Sequence, residues 1–202
     1  MSLGRDAVAR GIRLLCGVRE LPAAELPAGP CILFANHSSH LDFAVIWAAL
    51  PPALRARTRP VAGRDYWEAT PFRRWLAGTV FRAVLIERQR VTVATNPLEP
   101  MLAALDAGAT LIVFPEGTRS PDGTLGEFKS GLHHLARGRP SIPLVPVLLD
   151  NLNRILPKGE FLPVPLLGAV RTGPVLAFDP KENKNAFLAR ARAAVAALRG
   201  PT

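Results

Sequence analysis

Two cysteines in 202 residues, Cys16 and Cys31, are too few for a disulfide framework, and neither lies in a C-x-x-C pair. That excludes a disulfide-stapled secreted scaffold and suits a reducing compartment. Aromatic residues are also scarce, at 6%, so the core must be built from Leu, Val, Ala and Ile. Lysine occurs only at Lys129, Lys158, Lys181 and Lys184, although Lys and Arg together number 25. No apolar run approaches the ~20 residues of a membrane-spanning helix; FAVIWAALPPAL is cut by Pro51 and Pro52. The N-terminus lacks the continuous apolar stretch of a signal peptide, so a soluble or peripheral protein is expected. There is no internal repeat, no low-complexity tract, and no G-x-S-x-G serine elbow.

What is present is a hydrophobic content of 49% with a net charge of +9 and a pI near 10.9. The length suits one domain with a sizeable core. The positive charge favours anionic partners such as headgroups, phosphorylated substrates or acidic proteins, although a compositional bias toward Arg accounts for the same numbers. Nucleic acid rests on charge alone, without a recognisable motif, and is not expected as a partner.

Along the chain, RDAVARGIRLLCGV (5–18) spaces Val8, Ile12, Leu15 and Val18 as a helix, which packs on its own domain or lies on a membrane surface. ELPAAELPAGP is a connector, so residues 1–29 read as an amphipathic helix plus linker and 30–202 as the main domain. A strand at 30–35 and a helix at about 40–50 follow. PPALRARTRP reads as a basic loop before a short strand at 60–62. WEATPFRRWLAGTVF reads as one or two short helices broken at Pro71. RAVLIER and TLIVF read as strands on either side of a helix starting near Pro97. GLHHLARG is a short helix, IPLVPVLL a strand carrying Pro146, and two weak strands precede a closing amphipathic helix. Alternation of strands and helices predicts an α/β domain, with a mixed, mostly parallel sheet flanked by helices.

Two polar turns interrupt this pattern. FANHSSHLDF (34–43) places His37 and Asp42 between a buried strand and a helix. There Asp42 can accept Nδ1–H of His37 and fix the tautomer, leaving Nε2 to take a proton from a substrate hydroxyl. Ser39-x-x-Asp42 is equally a capping-box pattern, and one carboxylate oxygen could serve each role. His37, His40 and Asp42 could instead ligate a metal, but their spacing suits neither a helix nor a strand face. His133 and His134, being adjacent, point different ways on a helix. The second turn, VFPEGTRS (113–120), offers a glycine for close backbone approach and Arg119 as a planar fork for phosphate.

N-H-S-S-H-L-D followed by F-P-E-G-T-R-S resembles the glycerolipid acyltransferase family, whose best-known activity is acylation of lysophosphatidic acid. V-L-I-E-R, I-P-L-V-P-V and F-K-S-G resemble further blocks of it, and the likeness spans about Ile32 to Val147. The resemblance implies His37 as general base and Asp42 as its partner. It implies Arg88, Glu116, Gly117, Thr118, Arg119 and Lys129 as substrate-binding residues, with Arg88 and Arg119 on the phosphate and no metal or cofactor. The implied donor is acyl-CoA or acyl carrier protein, the implied acceptor a lysophospholipid, and the implied location the cytoplasmic face of a membrane. Gly63-Arg64-Asp65 stands where relatives often carry a lysine. Membrane contact would fall to Arg55, Arg57, Arg59, Arg73 and Arg74 with Trp67, Phe72 and Trp75. A non-catalytic lipid-binding protein and a metal-dependent hydrolase are the competing readings.

Overall fold

The architecture follows from alternate side chains of a central strand facing two separate cores. In the structure, a computed structural model describing residues 2–22, 26–39, 41–88, 95–150 and 169–199, β1 (Ile32–Ala35) is fully buried. Leu33 and Ala35 join one hydrophobic cluster, while Ile32 and Phe34 join the other. β1 pairs in parallel with β4 (Thr110–Val113) and β5 (Leu144–Asp150). The described strands form a six-stranded sheet in the order β3-β2-β4-β1-β5-β6, with β2 Thr58–Gly63, β3 Val84–Ile86 and β6 Ala169–Thr172. Only the β5–β6 pairing is antiparallel, which makes the sheet mixed and mostly parallel as expected. Of the weak late strands, one is β6 and the other shrinks to a single bridge at Leu176.

One sheet face is covered by α1 (Ser2–Cys16) and α2 (Asp42–Ala49), with Trp47 fully buried between them and the sheet. Here α1 packs on its own domain: Ala9 and Cys16 are buried, Asp6 pairs with Arg55 at 2.5 Å, and Arg5 and Arg55 both lie over the Trp47 ring. The other face is covered by α6 (Leu98–Asp106), α7 (Gly131–Gly138) and α8 (Lys184–Ala196). α8 is capped by the Asn183 side chain and buries Phe187, Ala191 and Val195 at four-residue spacing.

The segment expected as a basic loop is instead α3 (Pro52–Arg57), running directly into β2. Proline is tolerated in a first helical turn, and Ala, Leu and Arg are strong helix formers, so the flanking prolines begin the helix here. After β2 come α4 (Arg64–Trp67), α5 (Pro71–Trp75) and a π-helical turn, Leu76–Phe81. The Thr70 side chain caps α5, and Pro71 occupies its first turn. Pro60 and Pro146 lie inside strands without breaking them. Pro60 stands one residue before β2 begins to pair with β3, at Val61. Pro146 lacks an N–H but still takes part in pairing, its carbonyl accepting the Gly173 N–H at 3.0 Å.

Candidate active site

Four adjacent parallel strands, β3, β2, β4 and β1, deliver their carboxyl ends to one edge of the sheet, the usual place for a ligand crevice in open α/β folds. β1 leads to His37, β4 to Glu116–Arg119, β2 ends at Gly63 and β3 runs into Arg88. The exit from β1 is fixed by Asn36, whose amide exchanges two hydrogen bonds with the backbone of Leu149 at 2.9 and 2.8 Å. That side chain stands in for a strand peptide group and ends β1 at a defined place.

His37 Nδ1 lies 2.8 Å from Asp42 Oδ2, and Asp42 is fully buried. The same oxygen accepts the backbone N–H groups of Ser38 and Ser39, at 2.6 and 2.8 Å. The expected division of labour between the two carboxylate oxygens is therefore not what forms. One oxygen serves both roles, and Oδ1 has no partner among the described residues. Ser39 is not the helix cap either; α2 begins at Asp42, with Leu41 at the cap position and Ser39 Oγ accepting the Leu41 N–H. The imidazole stacks on Phe114, with centroids 4.2 Å apart, and its side chain is 21% exposed. Nε2 is the ring nitrogen left without a hydrogen bond among the described residues.

The second turn grips the first. Glu116 is buried, and its two oxygens accept the N–H groups of His37 and Gly126, at 2.8 and 2.9 Å. The Ser120 N–H donates to the His37 carbonyl at 2.8 Å. Thus the two polar turns form one unit around the His37 backbone. Gly117 takes a left-handed φ of 70°, and Lys129 lies across the space a side chain would fill. Asp122 braces the far end of the turn. Bonds from the Thr124 and Ser120 hydroxyls and the Thr124 N–H pull its carboxyl down to about 2.

A cavity of about 550 Å³ opens on His37, within the range of ligand sites. Its lining combines apolar side chains, among them Val61, Ile86, Leu98, Met101, Leu132 and Leu135, with the cations Arg88, Arg119 and Lys129. Of the residues expected from sequence, His37, Arg88, Gly117, Arg119 and Lys129 line this cavity. Asp42 and Glu116 stand behind the lining, held by the contacts above, and Thr118 is exposed outside it. Arg119 and Lys129 form no ion pair among the described residues, whereas Arg88 Nη2 lies 3.0 Å from both oxygens of Asp65. Partial burial acts to raise the Asp65 carboxyl, but the Arg88 hydrogen bond and charge outweigh it and hold it below the usual range.

His40 and the segment 151–160 lie outside the described residues. Among the described residues no group of three His, Cys, Asp or Glu side chains is placed to hold a metal ion. His133 is buried against Phe178 and Phe187 while His134 lines the cavity; the two differ in burial, but their rings meet edge to face with centroids 5.5 Å apart rather than pointing apart. Sequence reasoning gave no role to Asn36 or Asp65; both act through partners distant in sequence.

The geometry has counterparts among known proteins. The profile of the family described as Acyltransferase matches residues 18–150. The human 1-acyl-sn-glycerol-3-phosphate acyltransferase alpha is 32% identical over 155 residues, which is 74% of this chain and 52% of that protein. The Saccharomyces cerevisiae 1-acyl-sn-glycerol-3-phosphate acyltransferase is 31% identical over 153 residues, 72% of this chain and 47% of its own length. The chain therefore spans about half the length of the curated relatives it matches. The crystal structure of the 1-acyl-sn-glycerophosphate acyltransferase PlsC from Thermotoga maritima superposes with a TM-score of 0.76 at 22% identity, covering 100% of this chain and 80% of that one, and so shares the fold. With both polar turns inside the matched region, the chain belongs to the acyltransferase family.

Proposed function

We propose that the protein transfers a fatty acyl group from an acyl thioester, acyl-CoA or acyl carrier protein, to the free hydroxyl of 1-acylglycerol 3-phosphate, giving phosphatidate. The observation carrying this reading is the His37–Asp42 pair opening on a cavity lined by both apolar and cationic side chains. An acyl chain suits the apolar lining, and a phosphomonoester suits Arg88, Arg119 and Lys129. The names of the matched relatives support the same acceptor.

Asp42 holds Nδ1 protonated, so Nε2 removes the hydroxyl proton as oxygen attacks the thioester carbonyl. The tetrahedral intermediate then collapses, the C–S bond breaks, and the proton on Nε2 passes to the departing thiolate. In this reading the oxyanion donors come from the second turn. The N–H groups of His37, Ser38 and Ser39 are all occupied by carboxylates, whereas those of Thr118 and Arg119 have no partner among the described residues.

The substrate is a membrane lipid, and Phe72 and Trp75, 66% and 53% exposed, stack on each other in α5 beside Arg73 and Arg74. Arg73 also lies 4.2 Å over the ring of Tyr66, a cavity residue, so this surface adjoins the cavity. It supports peripheral binding to the cytoplasmic face of a membrane. Arg55 is buried and Arg57 donates to the carbonyls of Ala28 and Gly29, so neither contributes to that surface. Trp67 packs against Phe43 and Phe81 instead.

The test is thiol release from a long-chain acyl-CoA with and without lysophosphatidate. Release should require the acceptor and fall about 10²–10⁴-fold in His37→Ala, the scale of general-base catalysis. Arg119→Ala should raise KM for the acceptor more than it lowers kcat. Acceptor-independent release would instead mark a thioesterase, and lipid binding without release a carrier.

A further inference from the structure

Of the three cations in the cavity, only Arg88 is engaged by a carboxylate among the described residues. A guanidinium grips a phosphate through one of two edges, Nη1/Nη2 or Nε/Nη2, and Nη2 belongs to both. Nη2 is the atom lying 3.0 Å from both Asp65 oxygens. While that pair stands, Asp65 competes with a phosphate for Nη2, the nitrogen common to both forks.

The arrangement depends on a missing side chain. A Cβ at Gly63 would lie 2.2 Å from Arg88 Nε and 2.4 Å from both Arg88 Cζ and Asp65 Oδ1. Gly63 itself has φ −72° and ψ 130°, which any residue adopts. Backbone conformation therefore does not require the glycine; the space does, because Arg88 and Asp65 meet over it. Arg88 and Asp65 are 46% and 36% exposed, so the pair is weakly held. A phosphate dianion makes stronger, two-point bonds to a guanidinium and can displace a single carboxylate.

We propose that Asp65 is a specificity-determining residue, an internal anion that occupies the Arg88 fork until a phosphomonoester dianion displaces it. The proposal rests on the acceptor reading above. Neutral headgroups leave the pair intact and gain nothing from Arg88, so the toll set by Asp65 falls on anions and selects those able to bind at two points.

The test compares wild type with Asp65→Asn in the full chain, reading KM for 1-acylglycerol 3-phosphate and Kd for glycerol 3-phosphate by titration calorimetry. Both should fall about two- to five-fold, the range of an exposed ion pair. The change should appear in KM rather than kcat, and KM for monoacylglycerol should not move. In an Arg88→Ala background the gain should vanish. A rise in KM and Kd would overturn the proposal and make Asp65 a support for Arg88; unchanged values, or a gain that survives Arg88→Ala, would overturn it as well. Tighter glycerol 3-phosphate binding by Asp65→Asn in a protein that acylates no acceptor would uphold the internal anion and sink the acceptor reading. Normal acylation with unmoved constants would do the reverse.

Discussion

Glu116 shows how a single carboxylate ties motif to mechanism. Family resemblance assigns it to the substrate, whereas its oxygens here accept the backbone N–H groups of His37 and Gly126. A glutamine could accept only one of them and would turn an N–H toward the other, leaving a buried donor unpaired at a cost of about 1–3 kcal/mol. Glu116→Gln should therefore lower kcat by loosening His37 while KM for the acceptor stays near wild type; steady-state kinetics with varied lysophosphatidate reads the split. Cys31 supplies a second prediction. Burial, partly offset by the Thr110 hydroxyl and by Arg57, raises its thiol from 9.0 to about 11. Between those values the unfolded chain releases a proton that the folded chain retains. Stability is thus unaffected below pH 9 and falls as pH rises toward 11, by about 2–3 kcal/mol in all. Urea melts of wild type and Cys31→Ala across that window should show the extra slope only in wild type.

At the level of elements, strands and helices whose apolar spacing was unambiguous formed close to where the sequence placed them. β1, β4 and β5 are each apolar, short and bounded by turn residues, and α2, α6 and α7 follow directly from their flanking signals. What escaped reading depended on distance or on competing local signals. α3 was hidden because prolines on both sides of an Arg-rich segment mimic a loop. The π-helical turn at Leu76–Phe81 shares its apolar pattern with an ordinary helix. Within the site, the His37–Asp42 pair was legible because its partners lie five residues apart. Asn36 was not, because its partner Leu149 lies 113 residues away. Asn36→Ala should leave the buried N–H and carbonyl of Leu149 unpaired, costing about 2–4 kcal/mol in a urea melt. Activity should fall with it, since the residue next to Asn36 is His37.

For the molecule as a whole, no described helix is long and apolar enough to cross a membrane. In the reading proposed above, lipid is met by the surface carrying the Phe72–Trp75 pair, on a chain of net charge +9. Sedimentation with vesicles should show binding that rises with anionic lipid, weakens with salt, and drops in a Phe72→Ala/Trp75→Ala variant that keeps its melting temperature. The tryptophans offer an independent view of these events, because the three in the sequence stand at three depths. Trp47 is sealed beneath α1, Trp67 borders the cavity, and Trp75 faces water. Their fluorescence should separate accordingly: a blue-shifted emission lost only on unfolding, a component quenched or enhanced by substrate, and a red-shifted one that moves to shorter wavelength on vesicles. Single-tryptophan variants would turn these into three built-in optical reporters, so that core, site and membrane face can each be followed without attaching a dye.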